Sequence, residues 1–112
     1  MDITTRIVRG CKIMDLSGKI VLGPDTMAVR NAVREAAADK PKKIILNLGG
    51  VSYIDSAGIG ELVSSYTHVG SQGGKLVLLS LTKKINELLV ITKLITVFET
   101  FEDEQSAIAD CI

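Results

Sequence analysis

The chain has 112 residues, 46% hydrophobic but only 4% aromatic, which is enough for one aliphatic core and a single domain over 1–112. Lys+Arg 13 against Asp+Glu 13 gives formal neutrality, so nothing favours direct nucleic-acid binding or attraction to an anionic membrane. No apolar run approaches the ~20 residues of a spanning helix, which argues against membrane insertion.

In chain order, Ile3 to Arg9 and Lys12 to Ser17 are rich in Ile, Val and Thr and read as strands, with Gly10 as the reversal between them. The strand signal resumes at Lys19 to Leu22 and stops at Gly23-Pro24. Asp25 or Thr26 can then cap a helix running to about Asp39, with Val29, Ala32, Val33, Ala36 and Ala37 on its apolar face. The basic run Lys40-Pro41-Lys42-Lys43 reads as a solvated loop. Ile44 to Leu48 reads as a strand buried on both faces, as in a parallel sheet covered by helices. A helix follows to near Gly70, and Gly73-Gly74 mark the next turn. Lys75 to Leu79 is a second buried strand, and Thr82 can cap a third helix carrying Ile85, Leu88 and Leu89. Ile95 to Glu99 reads as a last strand and Asp103 to Asp110 as a short helix. Strands first, then alternating helix and strand, predict an α/β fold with right-handed crossovers, in which partners gather at loops beyond the strand ends.

Cys11 and Cys111 stand at opposite ends of the chain with no CxxC spacing, and there is one histidine. They read as lone thiols of a reducing compartment, with neither metal nor other cofactor expected. Asp2 stands where a signal peptide would carry basic charge, so the expectation is a soluble, cytoplasmic protein.

The stretch with the most chemistry is YIDSAGIG, Tyr53 to Gly60. A buried strand runs out, Asp55 and Ser56 stand side by side, and a helical pattern begins at Ile59, Leu62, Val63 and Tyr66. Ser56 therefore lies near the first turn of a helix, where free N–H groups and the helix dipole tolerate an added anion. It could be a cap, a nucleophile or a site of modification. A Ser–His nucleophile is excluded by distance, and a Ser/Lys arrangement stays open although no lysine neighbours the turn in sequence. His68, the one histidine, lies twelve positions along the same helix, roughly 18 Å away at ~1.5 Å per residue. The GxSxG elbow is absent too, since Ile54 precedes Asp55. A cap alone leaves Gly58 and Gly60 unexplained, because each costs up to ~1 kcal/mol relative to alanine in a helix. Either the helix packs closely on the sheet there, or another molecule approaches closely. No GxxxxGK[ST] or GxGxxG follows a strand, so nucleotide binding is a weaker alternative. Met14 and Met27 read as core filling, His68 as a surface helix residue and Tyr53 as packing under the turn. Glu61 reads either as a carboxylate favoured by the helix dipole or as part of a partner face.

These segments together resemble the STAS domains, and among them the stand-alone bacterial anti-sigma factor antagonists. The likeness rests on LSG at Leu16 to Gly18, the helix around Val29 to Val33 and IILNLGGVSYIDSAGIGELV from Ile44 to Val63. It continues in GGKLVLLSL from Gly73 to Leu81 and the closing VFETFEDEQSAI. The resemblance implies a mixed sheet of four to five strands with about four helices packed on it. It also implies a non-enzymatic protein that binds an anti-sigma factor in its unphosphorylated form and so releases a sigma factor. The serine matching Ser56 is the one that the anti-sigma factor serine kinase phosphorylates in such antagonists, and a PP2C-type phosphatase reverses the step. By the same resemblance Asp55, Ala57, Gly58, Ile59, Gly60 and Glu61 would form the partner-binding face. Where antagonists commonly read G-x-(L/I)-D after the LSG strand, Val21 replaces the acid, with Asp25 as the candidate substitute. The glycine common in the segment matching Ile91 to Leu94 is also absent, Lys93 standing there. Other roles on the same fold are a scaffold subunit of a stressosome-like or lipid-transport complex and a small-molecule or nucleotide sensor.

Overall fold

The computed structural model describes residues 1–111. Strand β1 (Asp2–Val8) and strand β2 (Cys11–Ile20) form an antiparallel hairpin. Arg9 and Gly10 both take positive φ, 52° and 83°, which gives the tight reversal the twist of a hairpin that a two-residue turn requires. Helix α1 (Pro24–Ala37), strand β3 (Lys43–Ile54), helix α2 (Ser56–Ser71), strand β4 (Lys75–Leu79) and helix α3 (Lys83–Ile91) follow. A 3-10 turn (Leu94–Thr96), strand β5 (Thr100–Phe101) and helix α4 (Glu104–Ile108) complete the order. The five strands lie in the order β1-β2-β3-β4-β5, with every pair after the first parallel. This is the mixed α/β sheet with four helices that the resemblance implied.

The alternation of side chains along the central strands divides the core into two layers. Met14, Leu16, Ile44, Leu46, Leu76 and Leu78 share one layer with the buried faces of α1, α2 and α3. Ile13, Ile45, Val77 and Leu79 face the opposite way and are covered by Ala107 and Ile108 of α4. On that second face Arg6 bridges Asp15 at 2.7 Å and Glu104 at 2.8 Å, and the Asn47 side-chain amide donates to Asp15 at 2.7 Å. The Arg6 guanidinium holds the Asp15 carboxyl below the usual carboxylate range.

Five expectations are corrected. Ile95 to Glu99 is not a strand. Lys93 takes a left-handed conformation (φ 64°), a 3-10 turn follows, and the last strand is the later Thr100–Phe101. Of the apolar residues there Phe98 is the buried one, and its ring meets Tyr66 edge-on at 5.3 Å. The cysteines are paired: Cys11 and Cys111 form a disulfide with Cα atoms 5.8 Å apart, which removes the cysteine argument for a reducing compartment. They meet because the start of β2 lies beneath the segment after α4, a proximity that a sequence separation of 100 conceals. Lys43 is not solvated. It opens β3, is 3% exposed, and its ammonium donates to the Ala107 carbonyl at 2.9 Å and to Asp110 at 2.6 Å. Met27 faces solvent on α1 rather than filling the core. Finally, α1 begins at Pro24, one residue before the expected caps, since proline lacks only an N–H that the first turn leaves free.

Candidate functional site

Strand β3 ends at Ile54, buried on the helical layer, and α2 begins two residues later. Asp55 is the N-cap, with extended backbone, and its Oδ1 accepts from the Gly58 N–H at 2.8 Å. Its other oxygen accepts from the Leu22 N–H at 3.0 Å, and its own N–H donates to the Ile20 carbonyl. One carboxylate thus joins the β3–α2 turn to the β2–α1 loop. The Leu22 N–H, and then that of Gly58, hold its pKa below the usual carboxylate range, because both donate to the charged form.

With capping assigned to Asp55, Ser56 is the first helical residue and is exposed. Asp25, in the first turn of α1, directs a carboxylate oxygen toward the Val21 N–H at 3.5 Å. Asp25 and Asp55 therefore grip the same loop from two sides, and Leu22 between them is 76% exposed.

The two glycines differ in kind. A Cβ on Gly58 would lie 2.3 Å from the Ile20 carbonyl oxygen and 2.5 Å from Ile54 Cγ1, so Gly58 lets α2 press onto the strand ends. A Cβ on Gly60 would meet nothing within 4 Å, and Gly60 is exposed. Ala57 is half-buried and Ile59 is 8% exposed. Glu61 turns inward: at 4% exposure its Oε1 accepts from Arg30 Nε of α1 at 3.1 Å. Its Oε2 and the hydroxyl of buried Ser65 have no partner among the described residues. Gly58 and Glu61 thus lie behind the exposed face on which the sequence reading set them. His68 is half-buried on α2 at the α1 side.

Tyr53 does not pack under the turn. It is 42% exposed, with the Lys84 ammonium 4.8 Å from its ring centroid. Beside Ser56 opens a groove of about 620 Å³ between α2 and the α3 segment, lined by Tyr53, Ile59, Gly60, Val63, Leu88 and Leu94 among others. Sequence reasoning missed this groove. Its wall opposite α2 comes from Leu88 of α3, which periodicity assigned to the core, and from Leu94 of the 3-10 turn, which follows the left-handed Lys93. Val90 and Ile91 on α3 are also exposed, at 52% and 77%, though neither lines the groove. Among the described residues no helix is long and apolar enough to cross a membrane.

Comparison with known proteins agrees with this architecture. An anti-sigma F factor antagonist of Paenibacillus polymyxa is 25% identical over 103 residues, covering 91% of this chain and 87% of that protein. The structure of an anti-sigma factor antagonist from Mycobacterium paratuberculosis has a TM-score of 0.83 at 19% identity, over 98% of this chain and 92% of its own. The Bacillus cell fate determinant SpoIIAA, in its phosphorylated form, has a TM-score of 0.74 at 18% identity, over 97% of this chain and 98% of its own. The family model described as STAS domain matches residues 2–107, nearly the whole length of the sheet and helices described above, and the chain belongs to the STAS domain family.

Proposed function

We propose that this protein is an anti-sigma factor antagonist controlled by phosphorylation of Ser56, a binding module and not a catalyst. The observation that carries the reading is the exposed Ser56, released from capping by Asp55 and standing at the mouth of an apolar groove. The relatives named as anti-sigma factor antagonists support it. In the unphosphorylated state the surface around Ala57, Ile59 and Gly60, with the groove and Asp25 at its edges, receives an anti-sigma factor and so frees a sigma factor. That partner is also a serine kinase. Ser56 Oγ bonds to the γ-phosphorus of ATP as the bridging P–O bond breaks, ADP leaves, and the hydroxyl proton passes to a base on the kinase. A PP2C-type phosphatase restores the hydroxyl.

The phosphate brings about −1.5 to −2 charges at pH 7 next to the Asp55 carboxylate. The helix N-terminus tolerates it, so the fold persists. In the complex it would be desolvated against a surface shaped for a small hydroxyl. Moving a pair from 99% bound to 99% free takes roughly 5.5 kcal/mol, which a misplaced dianion can largely supply.

Incubation with the cognate anti-sigma kinase and ATP, followed by intact-mass analysis, tests the modification. A pull-down with Ser56→Ala and Ser56→Asp tests its consequence. Phosphate on Ser56 and loss of binding by Ser56→Asp are expected. No phosphate there, with unchanged binding by Ser56→Asp, refutes the reading. The groove also favours a second reading, a small-molecule sensor, since its volume lies in the usual range of ligand pockets. Saturable binding of a small molecule without any protein partner would favour that one.

A further inference from the structure

Lys84 opens onto the same face as Ser56 from a different element. It is the second residue of α3, exposed, and among the described residues no carboxylate pairs with it. Its ammonium rests over the ring of Tyr53, and Tyr53 and Ser56 line one groove. A lysine held only by an aromatic face is a mobile point charge on a four-carbon stem, free to move to a stronger partner. The carboxylates around the turn are already engaged: Asp55 is occupied by two N–H donors and Asp25 points to Val21. Lys19, in register with Tyr53 on β2, is another exposed cation near the turn, but the ammonium over the Tyr53 ring is that of Lys84. Residue 21, just after β2, is a valine, so no carboxylate from that position competes for the ammonium.

We propose that Lys84 is the internal counter-charge of phosphorylated Ser56: the ammonium leaves the Tyr53 ring and pairs with the phosphate. The inference rests on Ser56 as the modified residue. It adds a positioning residue from α3, one that draws the phosphate across the mouth of the groove and so sets the geometry of the switched-off state. The pairing favours the dianion over the monoanion, and so lowers the second pKa of the phosphoserine.

The test installs phosphoserine at position 56 during translation, so no kinase is needed, and follows its phosphorus-31 chemical shift against pH at low ionic strength. Lys84→Met, which keeps the apolar stem and removes the charge, is expected to raise the phosphate pKa by roughly half a unit, the effect of one charge a few ångströms away in water. Lys84→Arg should restore the low value. Lys83→Met, on the neighbouring exposed lysine, should leave it nearly unchanged. An unchanged pKa in Lys84→Met, or an equal rise in Lys83→Met, overturns the proposal. Because the phosphate is supplied synthetically, a kinase that ignores Ser56 would refute the proposed function and leave this titration readable. An unchanged phosphate pKa in Lys84→Met with an active kinase would remove Lys84 alone.

Discussion

Substituting alanine for each helical glycine of the turn in separate variants tests whether packing and docking have been assigned to the right residues. At Gly58 the added methyl would stand 2.3 Å from the Ile20 carbonyl oxygen and 2.5 Å from Ile54 Cγ1, distances that real Cβ contacts do not reach. One neighbour is backbone of a central strand, so α2 itself must move. Overpacking of this kind costs up to about 3 kcal/mol, and the gain in helix propensity returns up to about 1 kcal/mol, leaving a net loss of roughly 2 kcal/mol. At Gly60 the methyl meets open space, so only the propensity acts, and Gly60→Ala should stabilise by roughly 0.5–1 kcal/mol. Urea denaturation followed by circular dichroism reads both, at constant m-value. For a domain of this size Gly58→Ala should melt roughly 8 °C lower. The same pair separates fold from function. Gly60→Ala should keep the fold while pushing a methyl into the groove mouth and weakening partner binding. Equal stability of Gly58→Ala and wild type, or a loss in Gly60→Ala as large as in Gly58→Ala, would refute the assignment.

Asp55 and Asp15 both have native pKa values below the ordinary range, so each contributes stability above about pH 4, the unfolded value, and loses it as pH falls through the native one. Asp55→Ala should therefore lower the melting temperature at pH 7, with a penalty that shrinks as the pH falls below the unfolded carboxylate range; a pH-independent penalty would contradict the lowered pKa of Asp55. Reduction of the disulfide, or Cys111→Ser, should cost about 2–5 kcal/mol, because it releases a loop of about 100 residues in the unfolded chain. Denaturation with and without dithiothreitol measures this. Arg30→Ala leaves Glu61 buried without a counter-charge and should cost about 3 kcal/mol in urea, whereas Glu61→Gln, which keeps the shape and removes the charge, should cost less.

Long periodic segments were legible because each repeats its own signal. The buried runs of β3 and β4 and the apolar stripes of α1 and α3 are examples, and the Thr82 cap bonds the Ile85 N–H as its spacing suggests. Strand β5 was not legible. It has only two residues, and its register is set by Leu78 and Leu79, each 22 residues before its partner. The burial of Glu61 was equally hidden. It shares a helix face with Gly58 and Ser65, which carry no hydrophobic signal, and that face is closed by α1. At the site, sequence found Asp55 and Ser56 because a strand-to-helix turn is a local event. It could not find Lys84 beside Tyr53 or the groove, since both arise from packing of α3 across the end of β3.

The double acceptor at Asp55 has a mechanical consequence. The β2–α1 loop and the start of α2 come from crossovers far apart in the chain, yet one side chain rivets them into a single rigid plate. The exposed Leu22 and the exposed Ser56 then keep a fixed spacing before any partner arrives. A partner meeting such a plate loses little entropy in ordering it, so more of the contact energy appears as affinity. That makes the surface intolerant as well as ready, and a phosphate on Ser56 cannot be accommodated by letting Leu22 drift aside.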